Sequence, residues 1–232
     1  RGHSNAILGS KPKLILYNLP DKKYVDKLKN VSSKIKINKT DVLVLSLTGT
    51  LYSYQKLDSF CKAIKNLKKT YKNKIKVKYC GSSWDYIDKV FKKYNISDNL
   101  INYKFIKKID AIKMVKKSDI ALSIISCSRD FSNIAIKGEI TTKIFDYISL
   151  GKIILNLTYN DYEIVELIKQ IDYENILNIN PNNINKIQQS LIIFIKDKLK
   201  YKVIKPLGSN SYNGMIKKGS QGFNKLEREI NQ

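Results

Sequence analysis

Thr141-Thr142-Lys143-Ile144-Phe145-Asp146-Tyr147-Ile148-Ser149-Leu150 reads as the start and body of a short helix in which Asp146 is one of few polar residues. A carboxylate about one turn into a helix can accept hydrogen bonds from the diol of a ribose or a sugar. The helix start, at Thr141 and Thr142, offers backbone N–H groups to an anion. A second candidate is Thr48-Gly49-Thr50-Leu51-Tyr52-Ser53-Tyr54-Gln55-Lys56, between an apolar strand and a helix. Strand, glycine turn and helix together bring backbone N–H groups toward a phosphate, although no dinucleotide fingerprint accompanies this glycine. A third is the polar segment 126–140 with Arg129, Asp130, Lys137, Gly138 and Glu139. Long loops at strand ends carry function more often than structure. Some chemistry is disfavoured. His3 is the only histidine, and Cys61, Cys80 and Cys127 lack metal-ligand spacing, so neither a zinc site nor a histidine base is read. The cysteines sit among apolar neighbours and read as buried, reduced thiols of a cytoplasmic protein.

These residues need elements to hold them. Asp41–Leu47 reads as the first strong strand, and Leu57, Phe60, Ala63, Ile64 and Leu67 mark the helix after it. Lys74–Cys80 alternates strictly, as a strand with one polar face near a sheet edge does. Gly81-Ser82-Ser83 is expected to cap the next helix, with Trp84, Ile87, Val90 and Phe91 as its apolar stripe. Leu100–Ile106 reads as a third strand. A helix over Ile109, Ile112, Met114 and Val115 leads to the strand Ser118–Ile125. Ile144, Phe145 and Ile148 fall at helical spacing, Gly151 sits where a left-handed cap belongs, and Ile153-Ile154-Leu155 suits a central strand. A helix from Asp161, a strand from Asn175 to Asn180 and a long helix from Ile184 to Leu199 complete the series. From residue 41, about six strand–helix units alternate, which predicts a parallel sheet covered on both faces, a three-layer α/β/α Rossmann-like domain.

At 232 residues the chain suffices for one large domain or two small ones. Hydrophobic residues are 43% and charged residues 27%, an ordinary globular mixture. No apolar run approaches the roughly 18 residues of a membrane span, and residues 1–10 lack the apolar core of a signal peptide. With 43 Lys and Arg against 20 acids, the net charge of +23 implies an anionic partner: a nucleotide diphosphate, a phospholipid surface or a nucleic acid. The lysines are spread along the chain, which weakens the nucleic-acid reading.

Thr142-Lys143-Ile144-Phe145-Asp146-Tyr147-Ile148, followed by Gly151-Lys152-Ile153-Ile154, resembles the Lys-Leu-Phe-Glu-Tyr … Gly-Lys-Pro-Val block of retaining GT-B glycosyltransferases, especially glycosyltransferase family 4. The resemblance extends in order and spacing over residues 13–195. It implies that the chain corresponds to the C-terminal, nucleotide-sugar-binding half of a GT-B fold, with Asp146 holding the donor ribose. Asn18-Leu19-Pro20-Asp21 resembles the link leaving the acceptor domain, which the resemblance implies lies almost wholly upstream. Thr50 stands where the family has a diphosphate-gripping arginine, and Gln55-Lys56 lies near its lysine. Backbone near Ile106 to Ile109 would meet the base. Glu139 would reach the donor sugar as the catalytic-side acid; it stands seven residues before Asp146, one short of the family separation.

The implied function is transfer of a hexosyl group from a nucleoside diphosphate sugar to a hydroxyl acceptor, with neither metal nor other cofactor. A doubly wound sheet would gather Gly49, Thr50, Gly81, Glu139, Thr141, Thr142 and Asp146 at one edge. Gln55, Lys56, Ile106 and Lys143 are also assigned to donor binding. The implied organisation is an N-terminal arm and link over 1–21, the nucleotide-sugar-binding domain over 22–200, and a tail with a terminal helix over 201–232. Expected partners are the donor, an acceptor domain or subunit, and an anionic membrane surface met peripherally from the cytoplasm. Two other readings stand beside this one: a non-catalytic basic α/β binding module or half-transferase, and a nucleic-acid-binding Rossmann-like domain.

Overall fold

The computed structural model describes residues 41–52, 54–125, 141–159, 162–171 and 175–197, with helical positions 23, 24, 26, 28 and 30. The expected strand 13–17, the link 18–21, the loop residues Ser126–Ile140 (Glu139 and Cys127 among them) and the terminal helix lie outside the described residues.

Six strands form one sheet: β1 (Leu43–Thr48), β2 (Ile75–Cys80), β3 (Leu100–Asn102), β4 (Ile120–Ile124), β5 (Ile153–Leu157) and β6 (Ile176–Ile179). Their order is β3-β2-β1-β4-β5-β6, and every neighbouring pair is parallel. Between them run α1 (Asp58–Lys65), α2 (Lys69–Lys72), α3 (Trp84–Lys93), a 3-10 turn (Ser97–Asn99), α4 (Lys108–Lys117), α5 (Lys143–Ser149) and α6 (Glu163–Ile171); α7 (Ile184–Asp197) follows β6. One core packs α1, α3 and α7 on one sheet face, through Phe60, Ile64, Ile87, Phe91, Leu191 and Phe194. The other packs α5 and α6 on the opposite face, through Ile144, Phe145, Ile148, Ile164 and Ile168, with Leu28 joining it. The three-layer parallel architecture expected from the alternation of elements is present.

Three local differences have physical causes. β3 stops at Asn102, where the sequence pattern runs on to Ile106. The Asn102 side-chain carbonyl accepts from the Lys104 amide at 3.0 Å, and Lys104 takes a left-handed conformation (φ 55°) that turns the chain out of the ladder. Ser83 stands at the N-cap of α3, but its side chain makes no bond to the helix. Its hydroxyl instead accepts from the Leu51 amide at 2.9 Å and donates to the Leu51 carbonyl at 3.2 Å, tying two loops together. Trp84 is 39% exposed, outside the buried stripe of Ile87, Val90 and Phe91. As expected, Gly151 caps α5 in the left-handed region (φ 64°), and β2 lies next to the edge strand with Lys76 and Lys78 half-buried. Cys61 and Cys80 are buried and free, and burial pushes both thiols up, Cys80 to about 11.

Candidate functional site

The helices that follow β1 and β4 in sequence, α1 and α5, lie on opposite faces of the sheet, which opens a crevice at the C-terminal ends of these two strands. A cleft of about 270 Å³ lies there, walled by the β1 and β2 ends (Thr48, Gly49, Cys80, Gly81), the approach to α4 (Ile106, Lys108) and α5 (Lys143, Asp146, Tyr147).

Two glycines set its floor. The loops after β1 and β2 touch: the Gly49 amide donates to the Cys80 carbonyl at 2.7 Å, and the Tyr79 hydroxyl donates to the Gly49 carbonyl at 2.8 Å. A Cβ on Gly81 would stand 2.3 Å from the Gly49 carbonyl oxygen, so only glycine fits. Gly49 has φ +83°, and a Cβ there would meet Lys143 Cε at 2.4 Å. Lys143 reaches across from α5, its ammonium donating to the Thr50 carbonyl at 2.8 Å. A cation from one wall is thereby held against the loop of the other. Thr48 Oγ1 and the buried Tyr147 hydroxyl, 2.9 Å apart, make a second tie between β1 and α5.

Asp146 lies on the same wall, half-buried. Burial lifts its carboxyl above the usual carboxylate range, and the Tyr24 hydroxyl and the Lys108 ammonium oppose that rise. Lys108 Nζ lies 4.1 Å from the Tyr24 ring centroid, so these two groups meet each other as well as Asp146. The cleft thus offers an acceptor-rich carboxylate beside two ammonium groups, the pairing that a sugar diol and an adjoining anion require.

Of the sequence candidates, Gly49, Gly81, Ile106, Lys143 and Asp146 line this cleft together. Thr50 adjoins it, spending its carbonyl on Lys143 and its hydroxyl on Ser82 Oγ at 2.7 Å. Gln55 is buried, and its side-chain carbonyl accepts from the Tyr52 amide at 3.1 Å. Lys56 is exposed and does not line the cleft. Thr141 and Thr142 begin α5, accepting from the Ile144 and Phe145 amides, and do not line the cleft either.

The turn after β1 spends much of its backbone on bonds within the protein. The amides of Gly49, Leu51, Tyr52 and Gln55 are bonded within the protein, and nine residues separate β1 from α1. The ammonium of Lys143 lies against this turn, on the Thr50 carbonyl. Sequence reasoning gave no role to the side chains of Thr48, Tyr147, Phe105 and Lys108, which also line the cleft. The run Tyr103-Lys104-Phe105-Ile106-Lys107-Lys108, aromatic and basic together, carried the usable signal. Phe105, 83% exposed, stands at the mouth. Among the described residues, no group of three or more His, Cys, Asp or Glu side chains is placed to hold a metal ion.

No protein-family model and no curated protein matches the chain. Solved structures do. TarM is similar at TM-score 0.53 and 16% identity, over 85% of this chain and 37% of its own. An S. aureus TarM variant in complex with fondaparinux, α-GlcNAc-glycerol and UDP is similar at TM-score 0.62 and 13% identity, over 97% of this chain and 40% of its own. Sucrose-phosphate synthase from Thermosynechococcus elongatus is similar at TM-score 0.55 and 12% identity, over 88% of this chain and 50% of its own. This chain therefore spans half or less of the length of these enzymes, and the likeness, at 16% identity or below, is one of fold: the Rossmann-like domain of GT-B glycosyltransferases.

Proposed function

We propose that this chain is the donor-binding, C-terminal domain of a retaining, family 4-like GT-B glycosyltransferase, which transfers a hexosyl group from a nucleoside diphosphate sugar to a hydroxyl acceptor. The observation that carries the reading is the meeting of Lys143, Gly49 and Asp146 in one cleft where the strand order reverses. Lys143 and Lys108 supply positive charge for a diphosphate, and Asp146 supplies acceptors for a ribose diol. Gly49 and Gly81 keep side chains out of the space between them.

In the transfer, the bond between the anomeric carbon and the diphosphate oxygen breaks while the acceptor hydroxyl attacks. Negative charge grows on the leaving phosphate, where a pre-positioned ammonium stabilises it more in the transition state than in the ground state. The leaving phosphate takes the acceptor's proton, so the chain needs no histidine base. Glu139, which precedes α5, is the acid assigned to the donor sugar. The ammonium groups of Lys143 and Lys108 take the place of a metal.

The cleft volume is just below the range of about 300–1,000 Å³ usual for small-molecule sites, as suits one wall of a site shared with an acceptor domain. The solved C-terminal domain of a glycosyl transferase group 1 family protein, LpcC from Francisella tularensis, is similar at TM-score 0.50 and 16% identity, over 86% of this chain and 94% of its own, which supports the domain assignment. The S. aureus TarM variant's complex with UDP supports a nucleotide as a ligand of this chain. A thermal-shift panel of nucleoside diphosphate sugars, with single-stranded and duplex DNA as comparison, tests the reading. One or more donors are expected to raise the melting temperature saturably. Stabilisation by DNA alone would contradict it.

A further inference from the structure

The sheet has a second polar hollow at its other end. β2 runs from this hollow to the donor cleft, a separation of roughly 16–20 Å at ~3.3 Å per residue. The hollow encloses about 480 Å³ and is lined by Lys69, Lys72, Asn73, Lys76, Asn95 and Asp98, above Ile96 and Asn99.

The sequence around it is unusual. Seven lysines and no acid fall between residues 65 and 78. Lys69 and Lys72, three apart on α2, stand on one side of that short helix. Lys69 is exposed and Lys72 half-buried, and no carboxylate pairs with either among the described residues. Lysines elsewhere are paired where an acid is near, as Lys89 is with Asp85 and Lys93 with Asp58.

The floor is held firmly. Asn99 is 5% exposed, and its amide donates to the Lys72 carbonyl at 2.7 Å and to the Ile75 carbonyl at 2.9 Å. Those bonds fix the corner between α2 and β2 against the 3-10 turn. The Lys76 ammonium donates to the Asp98 carbonyl, which aims it into the same space. Asn95, in a left-handed conformation (φ 55°) at the end of α3, closes the rim. Asp98 is the one acid in the lining, against three lysines.

We propose that this hollow is a binding site for a phosphate-bearing group, held by Lys69, Lys72 and Lys76 with amide donors from Asn73 and Asn95. It is separate from the donor cleft and stands whether or not the donor reading holds. Two sources share the chemistry: the headgroup of an anionic lipid and a soluble phosphate compound. Three ammonium groups in one concavity concentrate an anion more than the same charges spread over a convex surface.

The test uses the full chain and backbone amide NMR, which separates the hollow from the cleft by residue. Inorganic pyrophosphate is titrated into wild type, into Lys69→Gln/Lys72→Gln, and into the charge-matched Lys186→Gln/Lys196→Gln on α7. Co-sedimentation of the same three proteins with phosphatidylcholine vesicles, with and without phosphatidylglycerol, forms the second arm. The expected result is saturable shifts at Asn73, Lys76 and Asn95, or binding to the anionic vesicles, that weakens tenfold or more in the hollow variant and less than twofold in the α7 variant. A hollow-dependent vesicle interaction identifies a lipid headgroup, and hollow-dependent pyrophosphate binding alone identifies a soluble phosphate. If neither probe depends on Lys69 and Lys72 more than on Lys186 and Lys196, the proposal is overturned.

Discussion

Lys143→Met keeps the hydrophobic stem of the side chain and removes its ammonium, which makes it a clean probe of the diphosphate role. In the free protein that ammonium donates to the Thr50 carbonyl at 2.8 Å. Hydrogen bonds to a charged group contribute about 1.5–3 kcal/mol, and neutral ones about 0.5–1.5 kcal/mol. A bound diphosphate would exchange the carbonyl for a doubly charged acceptor, so part of the gain is offset by the bond given up. At ~1.4 kcal/mol per decade, the expected loss of UDP or GDP affinity is roughly tenfold, with a hundredfold as the upper bound. The parent nucleoside, uridine or guanosine, has no phosphate to lose and is expected to bind both proteins alike. Stability is expected to fall by about 1 kcal/mol or less, because the Thr50 bond is partly solvated. Calorimetry with nucleoside and nucleoside diphosphate on both proteins reads the contrast. Equal diphosphate affinity in wild type and Lys143→Met, or an equal loss for nucleoside and diphosphate, would refute the assignment.

Three further outcomes follow from the same geometry. Gly81→Ala places a methyl group 2.3 Å from the Gly49 carbonyl oxygen and 2.6 Å from the Tyr79 hydroxyl. Backbone cannot yield as a side chain can, so the melting temperature is expected to drop by the equivalent of about 1–3 kcal/mol, and donor binding is lost with it; an unchanged melting curve would contradict the contact between the two loops. Asp146→Asn separates stability from binding. Burial holds the folded carboxyl above its ordinary value, so the folded chain loses stability as pH rises through that interval. The variant is expected to melt higher than wild type at neutral pH and to lack that decline, while binding nucleotide more weakly. Lys152 gives the opposite sign. It is 7% exposed, its ammonium donates to the Lys116 and Ser118 carbonyls at the end of α4, and burial lowers it to about 8. Its penalty is present below that value and is relieved as pH rises from about 8 toward the ordinary lysine value. Wild type is expected to gain stability relative to Lys152→Met across that interval, and parallel pH–melting curves would contradict this.

The layers of the fold were legible because the pattern was redundant. β1, β4 and β5 are short apolar runs, each followed or preceded by a helix with one apolar face, and Gly151 marks a boundary that no other residue type marks as well. β3 misled because Leu100–Ile106 keeps strand-like residue types past Asn102, while the turn that ends it depends on one side-chain hydrogen bond. The site was legible where it rests on backbone. Gly49, Gly81 and Asp146 sit at strand ends and on a helix whose places follow from topology. Lys143 was named for binding, but not its reach across the cleft to Thr50, because that distance depends on how α5 lies against β1. Gln55 illustrates the converse. Its place beside Lys56 suggested a ligand contact, yet its carbonyl is spent inside the loop on Tyr52. Tyr24 stood in a lysine-rich segment without strong periodicity, and nothing in its neighbourhood pointed to Asp146.

The central claim is that Asp146 holds the ribose of a nucleoside diphosphate in this cleft. Its most direct test is calorimetric titration of UDP and GDP into wild type, Asp146→Ala and Glu163→Ala, the last an acid on α6 that does not line the cleft. Two charge-assisted bonds to a diol, at about 1.5–3 kcal/mol each, predict at least a tenfold weakening for Asp146→Ala, with Glu163→Ala matching wild type. Equal affinity in wild type and Asp146→Ala, or no binding of either nucleotide by the wild-type chain, would contradict the claim.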